Sequence, residues 1–273
     1  ASGEVDVARV VGGEAKASAR LGRATVAPAD PPDVDLRPDG DIVTALEIER
    51  GLAVPVQSYA VQEDAIRRRL GDHLDELWDG FAAVAASNPH AWDPAPANGD
   101  RIVSTPYRRR HCSQWNVDMA VAIVLCSTAV ADDARVALDV RVHPLAVVES
   151  QAMIPVSRRA ELHRSPQVAA VGAGLGRLAG VAPRDAAHLE LYSCFPSAVR
   201  IQAEELGIDL DRQLTVTGGM AYAGGPLNSA ALHGTATMVE LLRDHPGDVG
   251  VVTAVSGMLT KHGAIALSTT PPA

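Results

Sequence analysis

Tyr192-Ser193-Cys194-Phe195-Pro196 and Gly218-Gly219-Met220-Ala221-Tyr222-Ala223-Gly224-Gly225-Pro226 are the stretches whose reading decides the fold. Each stands where a strand-like run gives way to a loop and then to a helical pattern. Residues 188–192 read as a short strand and 196–206 as a helix, with Pro196 in its first turn and Gly207 just past its end. Residues 214–217 are again strand-like, and 228–243 read as a helix ended by His245-Pro246-Gly247. In an open α/β sheet, loops at such strand exits are where ligands bind.

Around them, residues 116–129 are largely apolar and predict a buried helix, with Asp118 near its start favourably placed against the helix dipole. Residues 137–148 are β-rich, 165–178 read as a helix despite their glycines, and 249–255 with 264–268 resemble a closing pair of strands. This alternation argues for an α/β layer with a mainly parallel sheet. The first part of the chain differs. Residues 5–11 form a short β-rich run ending in a Gly12-Gly13 turn, and 27–40 read as loop. Residues 61–86 carry helical periodicity, Ala65, Leu70, Leu74, Leu77 and Phe81 sharing a face. Gly71-Asp72 divides that run into two helices. Asn88-Pro89-His90-Ala91-Trp92-Asp93-Pro94 closes it with turn chemistry, and a Pro-rich loop follows to Gly99. The whole region 21–112 lacks strand alternation and reads as an insertion lying over a larger core.

The chain has 273 residues, 47% hydrophobic but only 3% aromatic, so its core must be built from Ala, Val and Leu, which suits helices packed closely on a sheet. A net charge of −9 offers no basic excess for nucleic acid. Arg67-Arg68-Arg69 and Arg108-Arg109-Arg110 are short clusters that read as solvated faces, with polyphosphate binding as the alternative. Three cysteines without close spacing suggest neither a disulfide framework nor a zinc site. No apolar run reaches the roughly 18 residues of a membrane span and no signal peptide is evident, so a soluble cytoplasmic protein is the expectation.

Gly172-Ala173-Gly174-Leu175-Gly176 is spaced wrongly for a dinucleotide loop, and Glu190 follows at a strand start rather than the strand end that motif needs. A helix admitting close packing is the better account. None of the nine histidines has metal-ligand spacing; His233 and His262 are a pair that the fold could bring together. His262, in the Gly257-Met258-Leu259-Thr260-Lys261-His262-Gly263 loop, reads either as a turn residue or as a site residue whose pKa Lys261 depresses. Tyr192 and Tyr222, two of four tyrosines, both fall in the opening loops, where a hydroxyl serves as hydrogen-bond donor or proton carrier.

These loops resemble those of the thiolase superfamily, closest to the sterol-carrier-protein-type and actinobacterial thiolase-like branch often labelled acetyl-CoA acetyltransferase. Val7-Ala8-Arg9-Val10-Val11-Gly12-Gly13-Glu14-Ala15, Tyr59-Ala60-Val61-Gln62-Glu63-Asp64-Ala65, Ala86-Ser87-Asn88-Pro89-His90-Ala91-Trp92 and Val117-Asp118-Met119-Ala120 add to the likeness. The resemblance implies a layered α/β fold with an incomplete N-terminal half. It divides the chain into the end of that half (1–20), a loop domain (21–112), the remainder of the N-terminal half (113–160) and the C-terminal half (161–273). It implies coenzyme A or acyl-CoA as ligand, no covalently bound cofactor and no metal. A missing N-terminal half would come from the same polypeptide or a partner chain, and exposed apolar surface would favour association into oligomers.

Thiolases use a Cys nucleophile, a His that activates it, a second Cys for proton transfer, and oxyanion donors. Carried over, the resemblance puts Tyr192 at the oxyanion-hole Asn or His, Cys194 at a structural position, Gly225 at the catalytic His, and Ser256 at the second Cys. The nucleophile itself would precede Ala1. Gly219, Gly224, Gly225, Pro226, Asn228 and Lys261 would contact CoA; Tyr192, Tyr222, Ser256 and His262 would carry any chemistry. Three readings follow: an acyl-CoA protein of thiolase type with altered chemistry, a CoA-ester aldolase using tyrosine as proton carrier, and a non-catalytic CoA-ester binder or scaffold.

Overall fold

The computed structural model describes residues 40–92, 97–225 and 229–272. The expected strand at 5–11, its Gly12-Gly13 turn, and Pro226 and Asn228 of the second loop lie outside the described residues. The described part opens with α1 (Ala45–Glu49), begun by a reciprocal capping box. Thr44 Oγ1 accepts from the Glu47 amide at 3.1 Å, and the Glu47 carboxylate accepts from the Thr44 amide at 2.7 Å. The same carboxylate takes the Ser157 amide at 2.6 Å, tying the two regions together.

The two helices expected on either side of Gly71 are present as α2 (Pro55–Leu70) and α3 (Leu74–Ser87). Gly71 adopts φ +81, which L side chains avoid. The single apolar face does not run through both. On α2 the buried residues include Tyr59, Gln62, Glu63 and Ile66, while Leu70 is exposed. The break at Gly71 resets the helical phase, and Glu63 turns inward because Arg200 waits there. A small antiparallel ribbon follows, β1 (Ile102–Ser104) with β2 (Tyr107–Arg108), too short for alternation to reveal.

The buried helix expected over 116–129 does not form. Only α4 (Thr128–Asp133) is helical, and Val124 and Leu125 are 90% and 78% exposed. Val117, Val121 and Ile123 are β-branched and only half-buried, and Val124 is β-branched and exposed, so neither propensity nor burial favours a helix.

The main sheet follows. Its strands are β3 (His143–Gln151), β4 (His188–Glu190), β5 (Val249–Ser256) and β6 (Lys261–Ser268). Between them lie α5 (Pro166–Ala179), α6 (Pro196–Leu206) and α7 (Ser229–Asp244). Strand order is β3-β6-β5-β4. The α/β class holds, but of these pairings only β4 with β5 is parallel; β3–β6 and β6–β5 are antiparallel. The short β5–β6 connection dictates a hairpin, which cannot be parallel. Residues 214–217 join no ladder; the Glu190 side chain takes the Val216 and Thr217 amides instead.

Helices α5 and α6 cover one face of the sheet and α7 the other. An added Cβ at Gly172 would lie 2.6 Å from Leu206 of α6, and one at Gly174 would lie 2.9 Å from Val148 of β3. Those glycines let α5 sink between helix and sheet, as the close-packing reading requires. On the far face Gly250 of β5 admits Met238 of α7. Helix α2 rests on α6, where Tyr59 and Tyr107 stack on Phe195 at 4.9 and 5.7 Å. Both arginine clusters are engaged with acids, Arg110 with Asp75 and Asp79, Arg68 with Asp64, and Arg69 with Glu204. No helix among the described residues is long and apolar enough to cross a membrane, and no group of His, Cys, Asp and Glu among them could hold a metal ion.

Candidate functional site

The first loop leaves β4 under tight control. The Tyr192 amide donates to Thr253 Oγ1 of β5 at 2.8 Å, and its carbonyl accepts from Gln202 Nε2 of α6 at 2.9 Å. Ser193 Oγ accepts the Met220 amide at 3.0 Å, and the Cys194 carbonyl accepts the Ser113 amide at 3.1 Å. Tyr192 is thus a half-buried side chain on a backbone held at both polar atoms. Burial, with Cys194 alongside, pushes its hydroxyl pKa well up, so it keeps its proton at neutral pH. Cys194 is pushed up to about 12 by burial, and Cys112 to about 11 by the same cause. Neither thiol is a thiolate near neutrality, which suits a structural Cys194.

The glycine-rich loop is clamped between the end of α3 and the 112–115 segment. Gly218, Gly219 and Gly224 have φ of +95, +77 and +99. Added Cβ atoms would meet the Ala85 backbone at 2.5 Å for Gly218, Ser193 Oγ at 2.8 Å for Gly219, and Met220 Cβ at 2.7 Å for Gly225. Asn88 Nδ2 donates to the Thr217 carbonyl at 2.8 Å, and the Gln114 amide to the Met220 carbonyl at 2.9 Å. The Gly225 amide returns to the Gln114 carbonyl at 2.8 Å. Tyr222 is buried in this loop, its hydroxyl pushed up to about 12 by burial, with Arg110, Asp79 and Asp75 as its charged neighbours. Those groups belong to α3 and the ribbon's exit, so Tyr222 and Tyr192 face different surroundings.

The third element is the β5–β6 turn. Ser256 ends β5 exposed, and Gly257, Met258 and Leu259 then adopt φ of +58, +53 and +68. Left-handed conformations at Met and Leu are strained, and such strain clusters at functional sites. Burial of both side chains and a Thr260-amide to Gly257-carbonyl bond of 3.1 Å hold the turn. The turn ends sooner than the sequence suggests: Lys261 and His262 already belong to β6, opposite Ser256 and Val255. His262 is 2% exposed, and neither ring nitrogen has a hydrogen-bond partner among the described residues. Burial, not Lys261, lowers its pKa to about 4. His233 lies on α7, across the sheet, since Val148, whose partner Ala264 shares a face with His262, meets α5 at Gly174. The His233–His262 pair therefore does not form.

Thr253 and Val255 share one face of β5, so Tyr192, bonded to Thr253, and His262, paired with Val255, gather at the same end of the sheet. His262 also makes a prediction. Its folded pKa lies below the ordinary 6.5, so the unfolded chain binds the proton first as pH falls. Stability is therefore full above about 6.5 and declines down to pH 4, by about 3 kcal/mol. Urea midpoints across that range should slope for the parent and flatten for His262→Leu; identical slopes would remove His262 as the cause.

No family model matches the chain. A monomeric SCP2-thiolase-like protein type 1 from Mycobacterium smegmatis superposes over 85% of this chain and 55% of its own, with TM-score 0.73 and 26% identity. The chain is similar in sequence and fold to the thiolase superfamily. An acetyl-CoA acetyltransferase of Methanothermobacter thermautotrophicus is 26% identical over 196 residues, 64% of this chain and 50% of the relative. The Ltp2–ChsH2(DUF35) aldolase shares the fold with TM-score 0.59 and 21% identity, over 81% of this chain and 65% of that one. This thiolase-like chain thus spans about half the length of the curated relative it matches.

Sequence reasoning missed Glu190, which it met only as part of a rejected dinucleotide motif and placed at a strand start. It stands at the end of β4. An acid in a short apolar strand was the available signal. Ser113 and Gln114, which pin both loops, offered none, because only the tertiary fold brings them there.

Proposed function

We propose that this chain supplies the C-terminal part of an acyl-CoA site of thiolase type whose chemistry differs from thiolysis or Claisen condensation. The observation that carries this is the packing at Gly225. Where the family resemblance calls for a histidine base, Ser113 and Met220 occupy the space a side chain would need. The site keeps the glycine-rich loop and lacks the base. CoA would lie along Gly219, Gly224, Gly225, Pro226, Asn228 and Lys261, with its acyl end toward Tyr192, Ser256 and His262, and with Tyr222 as a buried support of the loop.

Tyr192 favours a second, more specific reading: cleavage of a 3-hydroxyacyl-CoA by retro-aldol chemistry. A tyrosine on a pinned backbone that holds its proton at neutral pH is suited to donate a hydrogen bond or proton to a developing enolate. The remainder of a thiolase core, from the same polypeptide or a partner, would cover the exposed Val124, Leu125, Leu138 and Val147. In retro-aldol assays on 3-hydroxyacyl-CoA esters, Tyr192→Phe should lower kcat by roughly 10²-fold or more with KM little changed. Equal rates would take Tyr192 out of the mechanism. CoA binding without turnover in any assay would leave a binder or scaffold, and absence of CoA binding by calorimetry would end the proposal.

A further inference from the structure

Glu190 is a buried carboxylate whose partners are all donors from one loop. Its Oε2 accepts from Thr215 Oγ1 at 2.9 Å, from the Val216 amide at 2.7 Å and from the Thr217 amide at 3.0 Å. Its Oε1 accepts from Thr217 Oγ1 at 2.9 Å. The two threonine hydroxyls pass the arrangement on: Thr215 Oγ1 accepts the Gly218 amide at 2.9 Å, and Thr217 Oγ1 the Gly219 amide at 3.1 Å. Ser193 then takes the Met220 amide at 3.0 Å. One carboxylate and three hydroxyls thus account for the successive amides of 216–220, in place of a strand ladder.

The site is sealed from above by α7. An added Cβ at Gly234 would stand 2.7 Å from Glu190 Cγ, so the helix crosses directly over the acid. Burial pushes the Glu190 pKa up and the bonds from Val216, Thr217 and Thr215 oppose it; no Lys, Arg or His among the described residues pairs with it. A carboxylate buried without a cation is costly unless hydrogen bonds replace its water. These bonds do so, and every one comes from the loop that leads into Gly218 and Gly219.

We infer that Glu190 is the positioning residue of the candidate site, the group that sets where the glycine-rich loop stands relative to the β4 exit and Tyr192. The inference rests on the reading of that loop as part of an acyl-CoA site. Glu190 touches no substrate; it acts through the 215–220 backbone. Gln is the informative substitute. Its oxygen can replace Oε2, and its amide can donate to Thr217 Oγ1, which rotates to accept. Ala leaves the loop donors buried and unpaired.

The test is amide hydrogen exchange on the full chain, with CoA affinity measured in parallel. Glu190→Ala should speed exchange in peptides covering 215–220 by roughly tenfold or more, leave α5 and β6 peptides at parent rates, and weaken CoA binding by a similar factor. Glu190→Gln should restore both to within about threefold. If Glu190→Ala does not fold, Thr217→Val decides the matter, with faster exchange confined to 215–220 expected. Parent-like exchange at 215–220 in Glu190→Ala or Thr217→Val, or acceleration spread evenly over the molecule, would overturn the inference. A parent that binds no CoA while Glu190→Ala loosens 215–220 alone would sink the acyl-CoA reading and keep Glu190 as the loop's anchor.

Discussion

Gly218→Ala should destabilise the chain by about 4 kcal/mol or more, among the largest effects expected of one methyl group. Two causes add. The residue sits at φ +95, where a Cβ is strained by about 1–3 kcal/mol. The methyl would also lie 2.5 Å from both the Cα and the amide nitrogen of Ala85, and a helix backbone cannot step aside as a side chain can. The strain separates from the clash through Gly180→Ala, at φ +71 with no atom in reach, which should lose only about 1 kcal/mol. Urea midpoints for the pair measure the difference. Equal losses would mean that α3 does not press on the loop. Because Gly218 leads into the candidate site, CoA affinity should fall with the first variant and hold with the second.

Arg200→Met should destabilise by about 3–5 kcal/mol, the range for breaking a buried ion pair by removing one partner. Arg200 and Glu63 are 1% and 0% exposed and paired through Nη1. Arg200 Nη2 also donates to the Gly71 carbonyl at 2.9 Å, at the break between α2 and α3. Tyr107 reaches Glu63 at 3.0 Å and accepts the Ser197 amide at 3.2 Å, so the pair holds α2, β2 and α6 together. Burial already raises the Glu63 pKa against the pull of Arg200. Without Arg200 the acid would protonate more readily, and the deficit should shrink as pH falls. The double variant Glu63→Leu/Arg200→Met should recover most of the loss, since apolar residues need no counter-charge. A double variant as unstable as the single would show that the cost lies in packing.

What was legible in the sequence was local punctuation. Pro196 and Gly207 mark a helix that runs from Pro196 to Leu206, and the glycines of 172–176 signal a close-packed helix rather than a phosphate loop. The valine-rich run at 249–255 marks the sheet's centre, β5, buried on both faces. The family was legible too, because the two loops keep their glycines and proline in order. Residues 116–129 show the converse: an apolar run states a need for burial, not where burial will come from.

By itself, then, the sequence determined the helix break at Gly71, the bounds of α6, the packing role of the 172–176 glycines, and which family the loops resemble. The tertiary structure alone decided three things. It laid β6 back along β5 as a hairpin, moving His262 from a loop to a buried strand. It replaced the ladder expected at 214–217 with the Glu190 carboxylate. It packed Ser113 and Met220 against Gly225, leaving no room there for a side chain. Each depends on partners far apart in the chain. Whether a polar group is exposed, paired or sealed is set by what lands against it, and residue order does not encode that locally.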